Sequence, residues 1–299
     1  MPGPRGLVGP GRRTPIDSPY FLAIARYNRA LDVESGVGIS LVSEEEVAVP
    51  SVVDAQPLTL RPQWEHAEVV EVIEETADAV TLRLRLPEAT GFLPGQYYNV
   101  RLAIGGRSRP VQRSYSVGSS PFPDASVIDL GIREVPGGLV SPRLAQDLSP
   151  GDRVEVRGPA GRFTWAEAAG GPVLLVGAGS GLVPLMAMVR YAAARELAIP
   201  MRLVCSSPSF DLAFYHDELG RLADAHQWLE VTHSFTRDLR DPRAGHHRRI
   251  DRPMLAEAVD GQVPRWVYVC GPPMMVDAVA TELGGLGVDK TAIRSEKYD

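Results

Sequence analysis

Three short segments of this chain carry the residue types that could do chemistry. Arg113-Ser114-Tyr115-Ser116 combines a guanidinium group, an aromatic ring and two hydroxyls. It is followed by the glycine-rich stretch Gly177-Ala-Gly179-Ser-Gly181 and then by Cys270-Gly271-Pro272-Pro273. Each segment alone is a weak signal, because short strings of this kind arise by chance and Cys-Gly-Pro also forms ordinary turns. Their order along the chain indicates one site assembled from three separate parts.

The residue types in these segments suit phosphate groups and a planar ring. A guanidinium such as that of Arg113 binds phosphate oxygens in a forked geometry, and Tyr115 offers a flat aromatic face. Glycines between a strand and a helix let backbone N–H groups approach a pyrophosphate. The segment Pro136-Gly137-Gly138-Leu-Val-Ser141 offers a second such turn, although Pro-Gly-Gly is also common in ordinary turns. The sequence therefore predicts more than one phosphate contact.

The first segment lies in a region with the alternating pattern of β-strands. Apolar positions alternate with polar ones, and turn residues such as Pro94-Gly95 and Gly105-Gly106 separate the runs. This pattern predicts an antiparallel sheet or barrel. The predicted strands cover residues 67–72, 80–86, 97–102, 127–133 and 153–157.

The other two segments lie in a region where strands and helices alternate. Such alternation predicts a parallel sheet whose ligands bind beyond the carboxyl ends of the strands. The predicted strands cover residues 173–176, 201–205, 229–235 and 266–270, and the predicted helices 183–197, 210–225 and 274–286. In the second helix, Asp217 and Glu218 are expected to face outward.

Length and composition fit a two-domain enzyme. The 299 residues predict an N-terminal arm at 1–62, partly disordered, a β domain at 63–168 and an α/β domain at 169–299. The arm is either a docked linker or a partner-binding segment. A net charge of −6 argues against nucleic-acid binding, and two cysteines are too few for a four-thiolate cluster. No segment reaches the roughly 20 apolar residues of a membrane helix, which predicts a cytoplasmic protein.

No metal site is predicted. His246 and His247 are adjacent, but the sequence gives no further ligand at the spacing that zinc requires. The two histidines are therefore interpreted as loop residues.

With these motifs in place, residues 63–299 resemble the ferredoxin–NADP reductase family of flavoprotein reductases. The resemblance is greatest to a bacterial single-component branch without a fused ferredoxin domain. It implies a β-barrel that binds a flavin, usually FAD with FMN as the less favoured alternative, followed by an α/β domain that binds NADPH or NADH.

For the flavin, the resemblance implies specific contacts from the first domain. Arg113 would hold the pyrophosphate, Tyr115 would stack on the isoalloxazine ring, and Ser116 would lie near the N5 atom that accepts hydride. Ser114 belongs to the same strand and is included among the flavin contacts. The phosphate loop would be formed by Gly137, Gly138 and Ser141.

For the nicotinamide nucleotide, the resemblance implies contacts from the second domain. Gly177, Gly179 and Gly181 would approach the pyrophosphate, and Thr236 with Arg237 would flank the adenosine phosphate. No acidic residue ends the strand before Ser206-Ser207-Pro208, which favours NADPH over NADH without excluding NADH.

The nicotinamide ring and the flavin edge would be served by residues near the C-terminus. Cys270, with Gly271 and Pro272, would lie beside the nicotinamide; the alternative is a buried structural cysteine. Glu296 would handle a proton at the flavin edge unless it is a solvated terminal acid. Tyr298 would reach back toward the flavin, in a position where the family more often has phenylalanine.

The implied function is hydride transfer from NAD(P)H to bound FAD, followed by electron transfer to a separate acceptor such as a ferredoxin or an oxygenase. A cofactor would carry the redox chemistry, and the protein would supply geometry and electrostatics. Two alternatives remain open at this stage. One is a reductase of exchangeable free flavin, and the other is a non-catalytic flavin-binding subunit of a larger complex.

Overall fold

The computed structural model describes residues 62–298. The predicted N-terminal arm lies almost wholly outside this range. Within the described part of the chain, no helix has the length and hydropathy needed to cross a membrane.

Residues 65–160 form a six-stranded antiparallel sheet in the order β4-β3-β6-β1-β2-β5. An isolated bridge joins Val117, just after β4, to Leu130 of β5, so the two edges of the sheet meet. This confirms the predicted antiparallel barrel, whose interior is filled by apolar side chains such as Leu82, Leu84 and Val100. The elements are β1 Glu65–Thr76, β2 Ala79–Arg85, β3 Tyr97–Leu102, β4 Val111–Ser116, β5 Val127–Arg133, helix α1 Ser141–Gln146 and β6 Arg153–Ala160.

The second half of the chain forms a five-stranded parallel sheet in the order β11-β10-β7-β8-β9. Its inner strands are buried along almost their whole length, as expected when helices cover both faces. The strands are β7 Val173–Ala178, β8 Met201–Ser207, β9 Leu229–Phe235, β10 Trp266–Gly271 and β11 Ile293–Lys297. The helices are α2 Leu182–Ala194, α3 His216–Ala225, α4 Arg252–Val259 and α5 Pro273–Gly285.

The predicted helix at 210–225 is wrong in its first half. A short 3-10 turn covers Phe210–Leu212, the backbone of Tyr215 is left-handed with a φ of 57°, and α3 begins only at His216. The physical reason is a tertiary one: Phe214 lies beside Arg133 and Tyr215 beside Thr81 of the antiparallel domain, and the left-handed backbone at Tyr215 interrupts the helix. The predicted outward orientation of Glu218 is also wrong, because its carboxylate pairs with the buried Arg190.

The segment between the two sheets, residues 161–172, is held by one of its own side chains and by two side chains of β10. Trp165 Nε1 donates to the carbonyl of Gly170 at 3.1 Å, and Trp266 Nε1 donates to that of Ala169 at 2.9 Å. Tyr268 Oη donates to the carbonyl of Thr164 at 2.8 Å. These bonds connect the linker to β10. The boundary between residues 168 and 169 falls inside this segment and stays a prediction.

Candidate functional site

A cavity of about 420 Å³ lies where the antiparallel sheet meets the parallel sheet. Among its lining residues are many of those predicted from the sequence, which come from β4, from the glycine loop before α1 and from the C-terminus. The predicted residues that line it are Arg113, Ser114, Tyr115, Ser116, Gly138, Ser141 and Tyr298. It is also lined by Gly131, Arg133, Val135, Leu139, Val140, Ser180 and Val183.

Strand β4 presents four consecutive residues to the cavity, from an exposed guanidinium to a buried hydroxyl. Arg113 is exposed and donates from Nη1 to the carbonyl of Gln112 at 2.7 Å. Ser114 Oγ donates to Asn99 Oδ1 at 3.0 Å. Tyr115 is half-buried, and this burial raises the pKa of its phenol to about 12. Tyr115 is therefore a neutral aromatic surface at physiological pH.

Arg133 is a cavity residue that the sequence reasoning did not select. Its Nη2 donates to the carbonyl of Leu212 at 3.0 Å, and its guanidinium lies 5.2 Å from the ring centre of Phe214. Its Nε is buried and has no hydrogen-bond partner within residues 62–298. The one sequence feature that pointed to Arg133 as a cavity residue is its position at the end of β5, directly before the glycine loop. Arg133 adds a second guanidinium to the cavity beside that of Arg113.

The glycine loop between β5 and α1 is closed by its own hydrogen bonds. The N–H of Gly138 donates to the carbonyl of Val135 at 2.8 Å, and the N–H of Val135 donates to Ser141 Oγ at 3.0 Å. Gly137 lies next to the lining residues without being one of them. Because the Gly138 N–H is used within the loop, the Ser141 hydroxyl is the group here best able to donate to a ligand.

The turn between β7 and α2 packs directly against the end of β10. A Cβ added at Gly181 would lie 2.2 Å from the carbonyl oxygen of Cys270, which only a glycine avoids. Strand β7 runs through Gly177, and a 3-10 turn covers Gly179–Gly181 before α2 begins at Leu182. The structure thus brings the second and third motifs together at the carboxyl edge of the sheet.

The C-terminus joins this edge to strand β4. Cys270 is in register with Glu296 across the β10–β11 pair, and the N–H of Tyr298 donates to the carbonyl of Gly271 at 3.1 Å. Tyr298 Oη donates to Glu296 Oε1 at 3.2 Å and is hydrogen-bonded to Ser116 Oγ. The three residues predicted as catalytic, Ser116, Cys270 and Glu296, therefore meet around Tyr298.

Burial sets the protonation of this cluster. Burial raises the pKa of the Cys270 thiol to about 12, so the thiol is neutral at physiological pH. Burial also raises the pKa of Glu296 above its ordinary value, and the hydrogen bond from Tyr298 offsets this only in part. For the Tyr298 phenol, burial raises the pKa well above its ordinary value. The Cys270 thiol and the Tyr298 phenol are therefore protonated at physiological pH, and Glu296 holds its proton more tightly than a solvated glutamate does.

Thr236 and Arg237 lie apart from the cavity. They follow β9, two strands away from β7, and their N–H groups donate to the carbonyls of Ser207 and Pro208, both at 2.9 Å. They share the carboxyl edge of the sheet with the turn after β7. Pro272, the N-cap residue of α5, lies on that edge as well.

The cavity fits the chemistry of a flavin approached by a nicotinamide. Its volume is in the range of small-molecule sites. It offers two guanidinium groups for phosphates, one of which has a buried N–H without a partner in the described residues, and Tyr115 offers an aromatic surface. The Ser116 hydroxyl, which is hydrogen-bonded to Tyr298 Oη, can donate to a ring heteroatom when Tyr298 moves aside.

Comparison with known proteins agrees with this geometry. The family model described as "Oxidoreductase FAD-binding domain" matches residues 66–165, and that described as "Oxidoreductase NAD-binding domain" matches residues 175–281. The aromatic O-demethylase reductase subunit of Amycolatopsis sp. (strain ATCC 39116 / 75iv2) is 31% identical over 265 residues, which cover 85% of this chain and 75% of that protein. The chain belongs to the ferredoxin–NADP reductase family.

Other relatives of this ferredoxin–NADP reductase family member differ in length. The glycine betaine monooxygenase reductase subunit of Pseudomonas aeruginosa (strain UCBPP-PA14) is 32% identical over 77% of this chain but only 63% of the relative. The chain thus spans less than two thirds of that relative. A solved structure, the ferredoxin reductase in carbazole 1,9a-dioxygenase, aligns with this chain with a TM-score of 0.68 and 28% sequence identity. The alignment covers 81% of this chain and 71% of the chain in that structure. The predicted family and the predicted FAD cofactor are confirmed.

We expect both thiols of this reductase family member to react slowly while the protein is folded. Cys205 and Cys270 are buried and their pKa values are raised by burial, so neither forms a thiolate readily. The measurement is the reaction of the native protein with Ellman's reagent at pH 8, followed by the same reaction in guanidinium chloride. Two thiols should appear only on unfolding, whereas a thiol that reacts at once in the native protein would contradict the structure.

The variant Glu296→Gln should gain stability relative to wild type as the pH rises. Burial raises the pKa of Glu296 in the folded state above its value in the unfolded state, so the folded state holds the proton more tightly. The stability of wild type therefore falls as the pH rises from the unfolded pKa through the folded pKa. Glutamine removes this ionisation. Urea unfolding at about pH 4, where an unfolded glutamate begins to ionise, and at neutral pH checks the prediction.

The exposed Glu88 provides the matched control for this experiment. Glu88→Gln should not give the same trend with pH. If the difference in the free energy of unfolding between Glu296→Gln and wild type is the same at both pH values, the raised pKa assigned to Glu296 is wrong.

Proposed function

We propose that this chain is an NAD(P)H-dependent flavoprotein reductase that passes hydride to bound FAD and then electrons to a separate acceptor. The observation that carries the proposal is the meeting of Ser116, Cys270 and Glu296 around Tyr298, which joins the two cofactor-binding domains. Of these residues, Ser116 and Tyr298 line the cavity. FAD, when bound, accepts two electrons as hydride and can release them singly.

The residues of β4 and the glycine loop hold the flavin in this proposal. Arg113 and Arg133 bind its phosphates, with Gly137, Gly138 and Ser141 forming the adjacent loop. Tyr115 covers the ring, with Ser114 on the same strand, and Ser116 donates its hydroxyl near N5. Each group except Gly137 lines the cavity. The two guanidinium groups suit the two phosphates of FAD better than the single phosphate of FMN.

The parallel sheet holds the nucleotide at its carboxyl edge. Gly177, Gly179 and Gly181 bring the backbone close to the pyrophosphate at the start of α2, where the helix dipole favours anions. Gly271 and Pro272 shape the adjacent turn, and the neutral Cys270 packs beside the nicotinamide without attacking it. Tyr298 stands between this position and Ser116, so it must move or reorient for the two rings to stack.

NADPH is the favoured donor. Strand β8 ends at Ser207, whose hydroxyl donates to the carbonyl of Ser209 at 2.8 Å. Neither the end of the strand nor residues 208–210 directly after it carry a carboxylate that would repel a 2′-phosphate. Thr236 and the exposed Arg237 lie beside this segment and offer a hydroxyl and a cation. NADH would be accepted more weakly.

The acceptor is a protein of the class served by the relatives. Their names describe reductase subunits of a monooxygenase and of an aromatic O-demethylase. We infer that this chain delivers electrons to an oxygenase component or to a ferredoxin. The cytoplasmic location expected from the sequence stays a prediction.

Anaerobic absorbance spectra test the proposal. The protein is loaded with FAD and mixed with NADPH or, separately, with NADH, and the flavin band is expected to bleach, faster with NADPH. Flavin that is retained but bleached by neither nucleotide would indicate a non-catalytic flavin subunit and overturn the proposal. Flavin that exchanges freely and is reduced in solution would indicate a free-flavin reductase.

Arg113→Ala should weaken FAD binding while the fold is kept. Loss of a charge-assisted bond to phosphate lowers affinity by roughly 10- to 100-fold. Arg85→Ala, an exposed arginine of β2 that does not line the cavity, is the matched control. FAD titration by fluorescence gives both affinities. Equal FAD affinity in Arg113→Ala and wild type would remove Arg113 from the flavin site.

A further inference from the structure

Arg190 of helix α2 is a buried cation that joins the two domains. Its Nε and Nη2 donate to the two carboxylate oxygens of Glu218, at 2.9 Å and 2.7 Å. Its Nη1 donates to the carbonyl of Gly118 at 2.7 Å and lies 4.0 Å from Asp129 Oδ2. Glu218 belongs to the parallel domain, whereas Gly118 and Asp129 belong to the antiparallel one. One guanidinium therefore spans the interface.

The position of Arg190 connects it to both halves of the site. It lies eight residues beyond Leu182, where α2 begins after the glycine turn, or about 12 Å along the helix. Gly118 lies two residues after Ser116, the hydroxyl assigned to the flavin edge. A displacement of Arg190 would therefore move the nucleotide turn relative to strand β4.

The surrounding interface is packed closely enough to transmit such a displacement. The Arg190 guanidinium lies 4.7 Å from the ring centre of Tyr215, whose hydroxyl is 3.4 Å from Thr81 Oγ1 of strand β2. A Cβ added at Gly131 of β5 would lie 2.4 Å from Val183 Cγ2 and 2.9 Å from Tyr215 Oη. The two domains touch here without space for an additional methyl group.

We propose that Arg190 is a positioning residue for hydride transfer, which fixes the nucleotide-binding turn against the strand that holds the flavin. The inference rests on the proposed function. Lysine keeps the charge but not the forked geometry, since a single ammonium cannot replace two parallel bonds to Glu218 together with a bond to Gly118. The geometry of the guanidinium, and not only its charge, is what the site uses.

The first test needs no cofactor. Amide hydrogen exchange is measured in the flavin-free protein at Gly118 and Asp129, whose N–H groups donate to the carbonyl of Asp129 and to Ser119 Oγ. In Arg190→Lys, exchange at both amides should be faster by roughly tenfold as the interface opens locally. The control is Arg202→Lys, an arginine that pairs with Glu230 and lies outside the cavity lining. It should exchange as wild type does.

The second test measures flavin reduction by NADPH in a single turnover. Arg190→Lys should keep its FAD content and its nucleotide affinity while the reduction rate falls by about 10- to 100-fold, the effect of a misplacement of about 1 Å. Arg202→Lys should react at the wild-type rate. A wild-type rate in Arg190→Lys, or equal losses of rate and of nucleotide affinity, would overturn the positioning role.

Glu218→Gln removes the carboxylate that pairs with Arg190 and lies outside the cavity lining, so it tests the same idea if Arg190→Lys fails to fold. It should also lower the reduction rate while keeping the FAD content, and an unchanged rate would overturn the inference. Failure of the proposed function would look different. In that case the flavin bound to the wild-type protein would not be reduced by NADPH or NADH. The difference in amide hydrogen exchange between Arg190→Lys and wild type, measured in the flavin-free protein, would remain.

Discussion

The ion-pair chain through Arg190 is the constraint on which the rest of the site depends. Asp129 is held by Arg83 through two bonds, at 2.8 Å and 2.9 Å, and lies next to Arg190, which is in turn held by Glu218. Burial alone would lower the pKa of Arg190, but the nearby acids raise it well above its ordinary value, so the cation persists. A buried charge raises the free energy of the folded state unless it is paired. The charge of Arg190 therefore favours the arrangement of the domains in which Arg190 contacts Glu218, Gly118 and Asp129 together.

That arrangement decides the character of the reaction site. It brings the end of β10, the C-terminal residues and strand β4 around Tyr298, in surroundings that keep Cys270 and Tyr298 protonated. Neutral donors suit a step in which hydride moves between two rings, because a fixed charge close to the path would favour one redox state over the other. The cavity lining combines two guanidinium groups, Arg113 and Arg133, with the hydroxyls of Ser116 and Tyr298.

Much of the fold could be predicted from the sequence, since alternation and glycine turns are local signals. The residue types of three short segments, and the family resemblance that they carry, indicated Arg113 to Ser116, the glycine turn after β7 and Cys270. The break before α3 was missed because Phe214 and Tyr215 resemble a helical apolar face, and their burial against the other domain is a tertiary effect. Arg133, Arg190 and Glu218 could not be identified as interface or cavity residues for the same reason: an isolated charged residue carries no local mark of its partner. The prediction of NADPH-side contacts at Thr236 and Arg237 remains a prediction.

The central claim is that nicotinamide and flavin meet directly at the cavity between the two sheets. The most direct measurement is the rate of flavin bleaching after rapid anaerobic mixing of the FAD-loaded protein with NADPH carrying deuterium or hydrogen at the transferred C4 position. Direct transfer predicts one bleaching phase that deuterium slows, because the C–H bond breaks in that step. Two results would contradict the account. One is bleaching at the same rate with both isotopes when no separate slower step limits the rate, and the other is the absence of bleaching.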